Sequence, residues 1–300
     1  MSLLVTGSIG IDTVETPFGK RQDVIGGSAI YFGYAASFFG PVRIVGAVGE
    51  DCPKALLNVF EGRNVNTRGV EIRKGSKTFR WHGSYLKDMN EAETVEVDLN
   101  VLAERAPKIP AEFLDSRYVF LANTHPALQQ ETLATLKSVK LAVADTMNLW
   151  IQTERQQVEK LLGKIDGLVL NDGEVRLLTG QKNLILAARE TLKMGPKFVV
   201  IKKGEHGCLL VSERDTFVLP AFPTEKVVDP TGAGDSFAGG MMGYLATQGN
   251  LTSATLKRAL AFGTVVASFT ISDFSLAGLA ATTREQIDDR WEKYKSSMSF

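Results

Sequence analysis

Short apolar runs alternate with longer segments along most of this chain, and the alternation predicts its architecture. Leu3 to Thr6, Val42 to Val45, Tyr118 to Leu121, Leu141 to Ala144, Leu168 to Leu170, Phe198 to Ile201, Leu209 to Val211 and Phe217 to Leu219 have the length and composition of strands. Segments of helical length lie between and after them: Ala29 to Phe39, Pro53 to Glu61, Gln129 to Ser138, Ile151 to Leu162, Asn183 to Lys193, Ser236 to Thr247, Ser253 to Phe269 and Arg284 to Lys295. Many of the strands are apolar throughout, as strands buried on both faces are. An α/β fold with a mostly parallel central sheet between two helical layers is therefore expected.

One stretch departs from this rhythm. Between Arg68 and Asp98 the pattern has period two, with Phe79, Trp81 and Tyr85 on one face of a strand and Arg80, His82 and Ser84 on the other. Val95 and Val97 repeat the alternation. The segment suits a small sheet of about residues 68–98, joined by Thr13 to Val24 through the turn at Pro17-Phe18-Gly19. It reads either as an edge hairpin of the main sheet or as a lid over a site. No internal repeat, low-complexity tract or linker interrupts residues 1–300, so a single domain is expected.

Composition narrows the partners. The 34 Lys and Arg balance 34 Asp and Glu, and 44% of residues are hydrophobic. A disordered chain would be poorer in apolar residues, and a nucleic-acid binder would carry a basic excess, so no nucleic-acid partner is expected. Cys52 and Cys208 form no C-x-x-C or Cys/His cluster, which suits a reducing cytoplasm. The first residues resemble a strand, not a signal peptide. The uncharged stretch from Ser236 is broken by Thr247, Gln248, Gly249 and Asn250, so no membrane span is expected. His82, His125 and His206 lack metal-ligand spacing. The chain also lacks a Walker loop, a G-x-G-x-x-G turn after the first strand and a G-x-S-x-G elbow.

The chemistry concentrates in Asp229-Pro-Thr-Gly-Ala-Gly-Asp235-Ser-Phe-Ala-Gly-Gly240. Gly232, Ala233 and Gly234 place a small-residue turn at a helix N-terminus, where free backbone N–H groups and the positive end of the dipole can hold an anion. A carboxylate at Asp235 would repel a bound phosphate, but it is well placed to accept a proton from a hydroxyl attacking that phosphate. Asp as a helix cap and glycines for close helix packing are the alternative reading, and it stays open.

Those twelve residues resemble the C-terminal signature of the ribokinase-like, or PfkB-type, carbohydrate kinases. Gly26-Gly27-Ser-Ala-Ile-Tyr-Phe-Gly-Tyr-Ala-Ala-Ser-Phe-Phe-Gly40 resembles the N-terminal one, and the likeness runs from Gly7 to the final helices. The resemblance implies an ATP-dependent, magnesium-requiring kinase for a sugar-like acceptor, with a β-sheet lid on a three-layer α/β/α domain. In that pattern Asp235 is the catalytic base, and Gly232, Ala233 and Gly234 form the anion hole. Asp12, Gly26 and Gly27 hold the acceptor. Tyr31 stands where many relatives have Asn, which puts common pentose and hexose acceptors in doubt and leaves a nucleoside as the alternative. Asn171 and Glu174 match the N-x-x-E motif, with Glu174 on a magnesium-bound water. Lys202, Gly204, Gly207 and Thr264 fall on the ATP side, and Asp229 and Thr231 match a monovalent-cation site that would take K+. A homodimer through the lid and a non-catalytic sensor on the same scaffold are further expectations to be tested.

Overall fold

The computed structural model describes residues 2–299. The chain begins with β1 (Leu3–Thr6), β2 (Gly10–Thr16), β3 (Gly19–Gly26), α1 (Ser28–Ala36), β4 (Val42–Gly49) and a short α2 (Lys54–Leu57). It continues through β5 (Val65–Arg73), β6 (Phe79–Ser84), β7 (Glu93–Asp98), β8 (Tyr118–Leu121), α3 (Pro126–Thr135), β9 (Leu141–Asp145), α4 (Asn148–Thr153) and α5 (Arg155–Leu162). Then follow β10 (Gly167–Asn171), α6 (Asp172–Thr179), α7 (Leu184–Lys193), β11 (Phe198–Lys202), β12 (Cys208–Ser212) and β13 (Thr216–Leu219). Four helices complete it: α8 (Ala233–Gln248), α9 (Ser253–Thr270), α10 (Ala277–Ala280) and α11 (Arg284–Ser297).

Nine strands form one sheet in the order β13-β12-β11-β10-β9-β8-β1-β4-β5, parallel from β11 through β5 and antiparallel only where β12 meets its two neighbours. Successive residues of each strand feed opposite cores. Leu3, Val5, Phe120, Val143 and Val200 pack with α1, α8 and α9, whereas Leu4, Val119, Leu121, Ala142 and Val199 pack with α5, α6 and α7. This is why the strands read as unbroken apolar runs. Strand order runs in opposite directions from β1, toward β4 on one side and β8 on the other. In open α/β sheets, ligands bind at such a switch point, beyond the C-terminal strand ends.

A second sheet, in the order β3-β2-β6-β7, lies over that end. Its bounds differ from the expected ones. Residues 68–73 belong to β5, which pairs with β4 at the edge of the main sheet, and the lid strands instead start at Gly10 and reach Gly26. An edge strand with one wet face alternates like a lid strand, so period alone did not separate them. The helix expected at Pro53 to Glu61 shortens to α2 and a 3-10 turn at Asn58–Phe60. That expected from Ile151 begins earlier and breaks at Glu154. α6 was not among the expected helices.

Candidate active site

Three neighbouring strands of the main sheet end in polar residues. β9 ends at Asp145, β10 at Asn171 and β11 at Lys202, with Asn171 in register with Lys202 and Val169 with Asp145. The capping box that starts α6 fixes the middle of this row. Asn171 Oδ1 accepts from the Glu174 N–H at 2.7 Å, and Glu174 Oε2 accepts from the Asn171 N–H at 2.6 Å. Glu174 is buried, which raises its carboxyl pKa, while Lys202 opposes the rise. Asp145 is 5% exposed, its Oδ1 has no hydrogen-bond partner among the described residues, and its carbonyl is held by Gln129 Nε2 at 3.1 Å. Burial and then Asp235 push its pKa well up.

The Gly-Ala-Gly turn faces this row. Asp229, 1% exposed, anchors it from behind, Oδ1 accepting from the Thr231 N–H at 2.8 Å and Oδ2 from the Ser275 N–H at 2.9 Å. Gly232 caps α8 in the left-handed region at φ +72°, and a Cβ there would collide with the Tyr31 ring. Ala233 and Gly234 open the helix, leaving first-turn N–H groups without intrahelical acceptors. Lys202 Nζ lies 2.7 Å from the point a Gly234 Cβ would occupy, so the ammonium sits against the turn. Asp235 follows, partly open to the cleft yet surrounded by protein. Burial pushes its pKa up to about 6 against the pull of Lys202.

The lid contributes from above. Asp12 on β2 is 3% exposed, and its carboxylate rests on Gly26, leaving no room for a Cβ. Its Oδ1 is unpartnered among the described residues, and burial, then Asp229 and Asp235, push its pKa up to about 8. Tyr85, just past β6, is buried and accepts a hydrogen bond from the Thr231 hydroxyl at 3.3 Å. Farther along the same loop, Asn90 Oδ1 accepts from the Glu205 N–H at 3.2 Å beside Gly204.

Asp12, Asp229, Thr231, Gly232, Ala233, Gly234, Asp235, Asn171, Glu174 and Lys202 are thus brought to one cleft. Other expected residues lie behind or away from it. Tyr31 is 1% exposed and wedged behind Gly232, so its ring supports the turn from the core, with its hydroxyl unpartnered among the described residues. Gly27, at φ +99°, packs on the Ser8 carbonyl, and Gly207 packs on the backbone of Leu219 and Pro220. Thr264 is buried in α9, where its hydroxyl already donates to the Leu260 carbonyl. Asp145 and the Tyr85 contact had not been assigned. A carboxylate ending the otherwise apolar run Leu-Ala-Val-Ala-Asp is the signal for the first.

Among the described residues no three His, Cys, Asp or Glu side chains gather as a metal cage, and no helix is long and apolar enough to cross a membrane. The cleft is lined by the carboxylates of Asp12, Asp145, Glu174 and Asp235 and by the Lys202 ammonium. The sequence profile of the pfkB family carbohydrate kinases matches residues 21–282. The chain belongs to this family. Like other pfkB-family members it is an ATP-dependent kinase of a sugar or nucleoside. It is 32% identical to the cytidine kinase of Thermococcus kodakarensis over 250 residues, 81% of this chain and 88% of that protein. The ribokinase-like fold is shared with Thermotoga maritima ribokinase at a TM-score of 0.77 and 21% identity, covering 97% of this chain and 99% of that one. Salmonella enterica aminoimidazole riboside kinase, solved with aminoimidazole riboside and an ATP analogue, superposes at 0.77 with 17% identity, covering 97% and 100%.

Proposed function

We propose that the chain transfers the terminal phosphoryl group of ATP to a hydroxymethyl group on a ribose-type acceptor, with Asp235 as the base. One observation carries this: a buried but cleft-facing carboxylate stands in the first turn of α8, directly after a turn shaped to hold an anion. Asp12 accepts hydrogen bonds from acceptor hydroxyls and fixes the reacting oxygen. Asp235 removes its proton as the new O–P bond forms and the bond to the ADP oxygen breaks. The N–H groups of Gly232 and Gly234 and the Lys202 ammonium stabilise charge on the equatorial oxygens, while the Ala233 N–H donates to the Pro230 carbonyl at 3.1 Å and holds the turn in shape. Glu174 and Asn171 face the same space, and the unpartnered Asp145 oxygen fits a hydrated cation arriving with the nucleotide. Glu174 and Asp145 would hold Mg2+ there, and the ion would supply charge neutralisation at the phosphates.

A nucleoside is the favoured acceptor, because the likeness to the cytidine kinase spans most of both chains. Two finer readings accompany this. K+ would share the Asp229 carboxylate behind the turn, and a second copy would meet the lid at β7. Potassium-independent turnover removes the first, and a monomer in sedimentation removes the second. The two free thiols suit a cytoplasmic protein.

Asp235→Asn tests the base. Loss of about 10²- to 10⁴-fold in kcat with nucleotide binding retained is expected, and unchanged turnover overturns the assignment. Since Asp235 must be ionised to act, wild-type kcat/KM should fall about tenfold per pH unit below about pH 6.

A further inference from the structure

β6 turns one face toward the cleft. Residues 79, 81, 83 and 85 alternate onto it. Phe79 covers Gly10, where a Cβ would lie 2.5 Å from its ring, and Tyr85 reaches Thr231 of the anion turn. Trp81 sits between these two contacts, in parallel register with Asp12 on β2. Paired residues on neighbouring parallel strands project from the same side about 5 Å apart, so the indole and the acceptor-binding carboxylate emerge side by side.

The indole is held in one orientation. Its Nε1 donates to Thr94 Oγ1 on β7 at 3.2 Å, and its six-membered ring lies over Gly83, where a Cβ would run into Cη2, Cζ2 and Cζ3 together. One ring face is therefore packed on Gly83 and the other is turned away from the sheet, with Trp81 still partly exposed. The ring N–H is already engaged, so what remains on offer is a π-face.

We propose that Trp81 is a stacking platform for a planar ring carried by the acceptor: a nucleobase attached to the ribose whose hydroxyls Asp12 holds. This deepens the nucleoside reading and rests on it. A flat indole beside a buried carboxylate matches the two halves of a nucleoside, one aromatic and one hydroxylated. Stacking without a free donor reads no base edge, so purine and pyrimidine nucleosides are both accepted.

The test measures KM and kcat at saturating ATP for cytidine, inosine and free ribose with wild type, Trp81→Ala and Trp81→Phe. Trp81→Ala is expected to raise KM for both nucleosides about 5- to 150-fold, the range of one lost base stack, with a smaller change in kcat. Trp81→Phe should recover most of that loss, and KM for ribose should move less than about threefold. Cytidine should also quench tryptophan emission of the wild type and not of Trp81→Phe, a readout that survives if Trp81→Ala does not fold. Nucleoside turnover with KM and quenching indifferent to Trp81 overturns the platform and leaves the nucleoside reading standing. Wild-type turnover of ribose alone overturns both.

Discussion

In the nine-stranded sheet β1, β8 and β9 are buried at every residue, while in the four-stranded sheet β7 is exposed at every residue. Both sheets nevertheless reach the same cleft. The main sheet supplies Asp145, Asn171 and Lys202 at strand ends whose positions are set by two hydrophobic cores. The lid supplies Asp12, Trp81 and Tyr85: Asp12 rests on Gly26 of the neighbouring lid strand β3, and the lid docks on the body where Tyr85 meets Thr231 and the Ile25 carbonyl accepts from the Ser275 hydroxyl at 2.6 Å. Rigidity thus comes from burial in one sheet and from docking in the other. A site built this way can hold its phosphate end fixed while its acceptor end opens and closes.

The largest expected effect separates the two kinds of support. Phe120 on β8 is fully buried and stacks on Phe32 of α1, ring centroids 4.6 Å apart at 12°. Phe120→Ala should cost about 3–5 kcal/mol of folding stability, read by denaturant midpoint. The lid counterpart, Val97→Ala at a residue 45% exposed, should stay within about 0.5 kcal/mol. Equal losses would mean that the lid has a core of its own.

A smaller effect tests the cost of burying the Asp12 carboxylate, the proposed acceptor ligand. Asp12, raised to about 8 from an ordinary value of 3.8, and Asp235, raised to about 6, hold protons in the folded state that the unfolded chain has released. The folded form therefore binds more protons between about pH 4 and 8, and stability falls as pH rises through that window. Tm of the ligand-free protein should drop from pH 5 to pH 8. Asp12→Asn should flatten the drop and raise Tm at pH 8 while weakening acceptor binding. A lower Tm for that variant at pH 8 would show that the carboxylate stabilises the lid.

The same division decides what could be read without coordinates. Main-sheet strands were legible because burial on both faces leaves apolar runs four or five residues long. β5 was confused with the lid because its exposed edge alternates as lid strands do. α6 was missed because Asn171-Asp-Gly-Glu174 carries turn chemistry that here starts a helix. Within the cleft, the Gly232 to Asp235 turn was legible as contiguous chemistry. Asp145 was not, since one carboxylate at a strand end gains meaning only from Lys202 and Asp235 on other elements. For Tyr31 the departure from the family pattern was visible, but its direction, into the core behind Gly232, depends on packing.

The smallest expected effect lies where the lid touches the turn before α8. The Tyr85 and Thr231 hydroxyls meet across 146 positions of sequence, joining the lid to the anion turn in a buried setting. Because Thr231 also ties to Asp229 through its N–H, this contact links lid position to the geometry of the turn proposed to receive the phosphoryl group. Tyr85→Phe keeps the ring and removes only the hydroxyl, so the body should lose no stability beyond the roughly 1 kcal/mol of one neutral hydrogen bond. If Tyr85 acts as a positioning residue, kcat should fall about tenfold, while KM for ATP stays unchanged and KM for the acceptor rises as the closed lid loses its anchor. A merely structural contact would lower stability and leave both kinetic constants in place. That result would leave the lid tied to the body by the Ser275 hydroxyl on the Ile25 carbonyl and the Glu205 N–H on Asn90, and the coupling would have to run through those contacts.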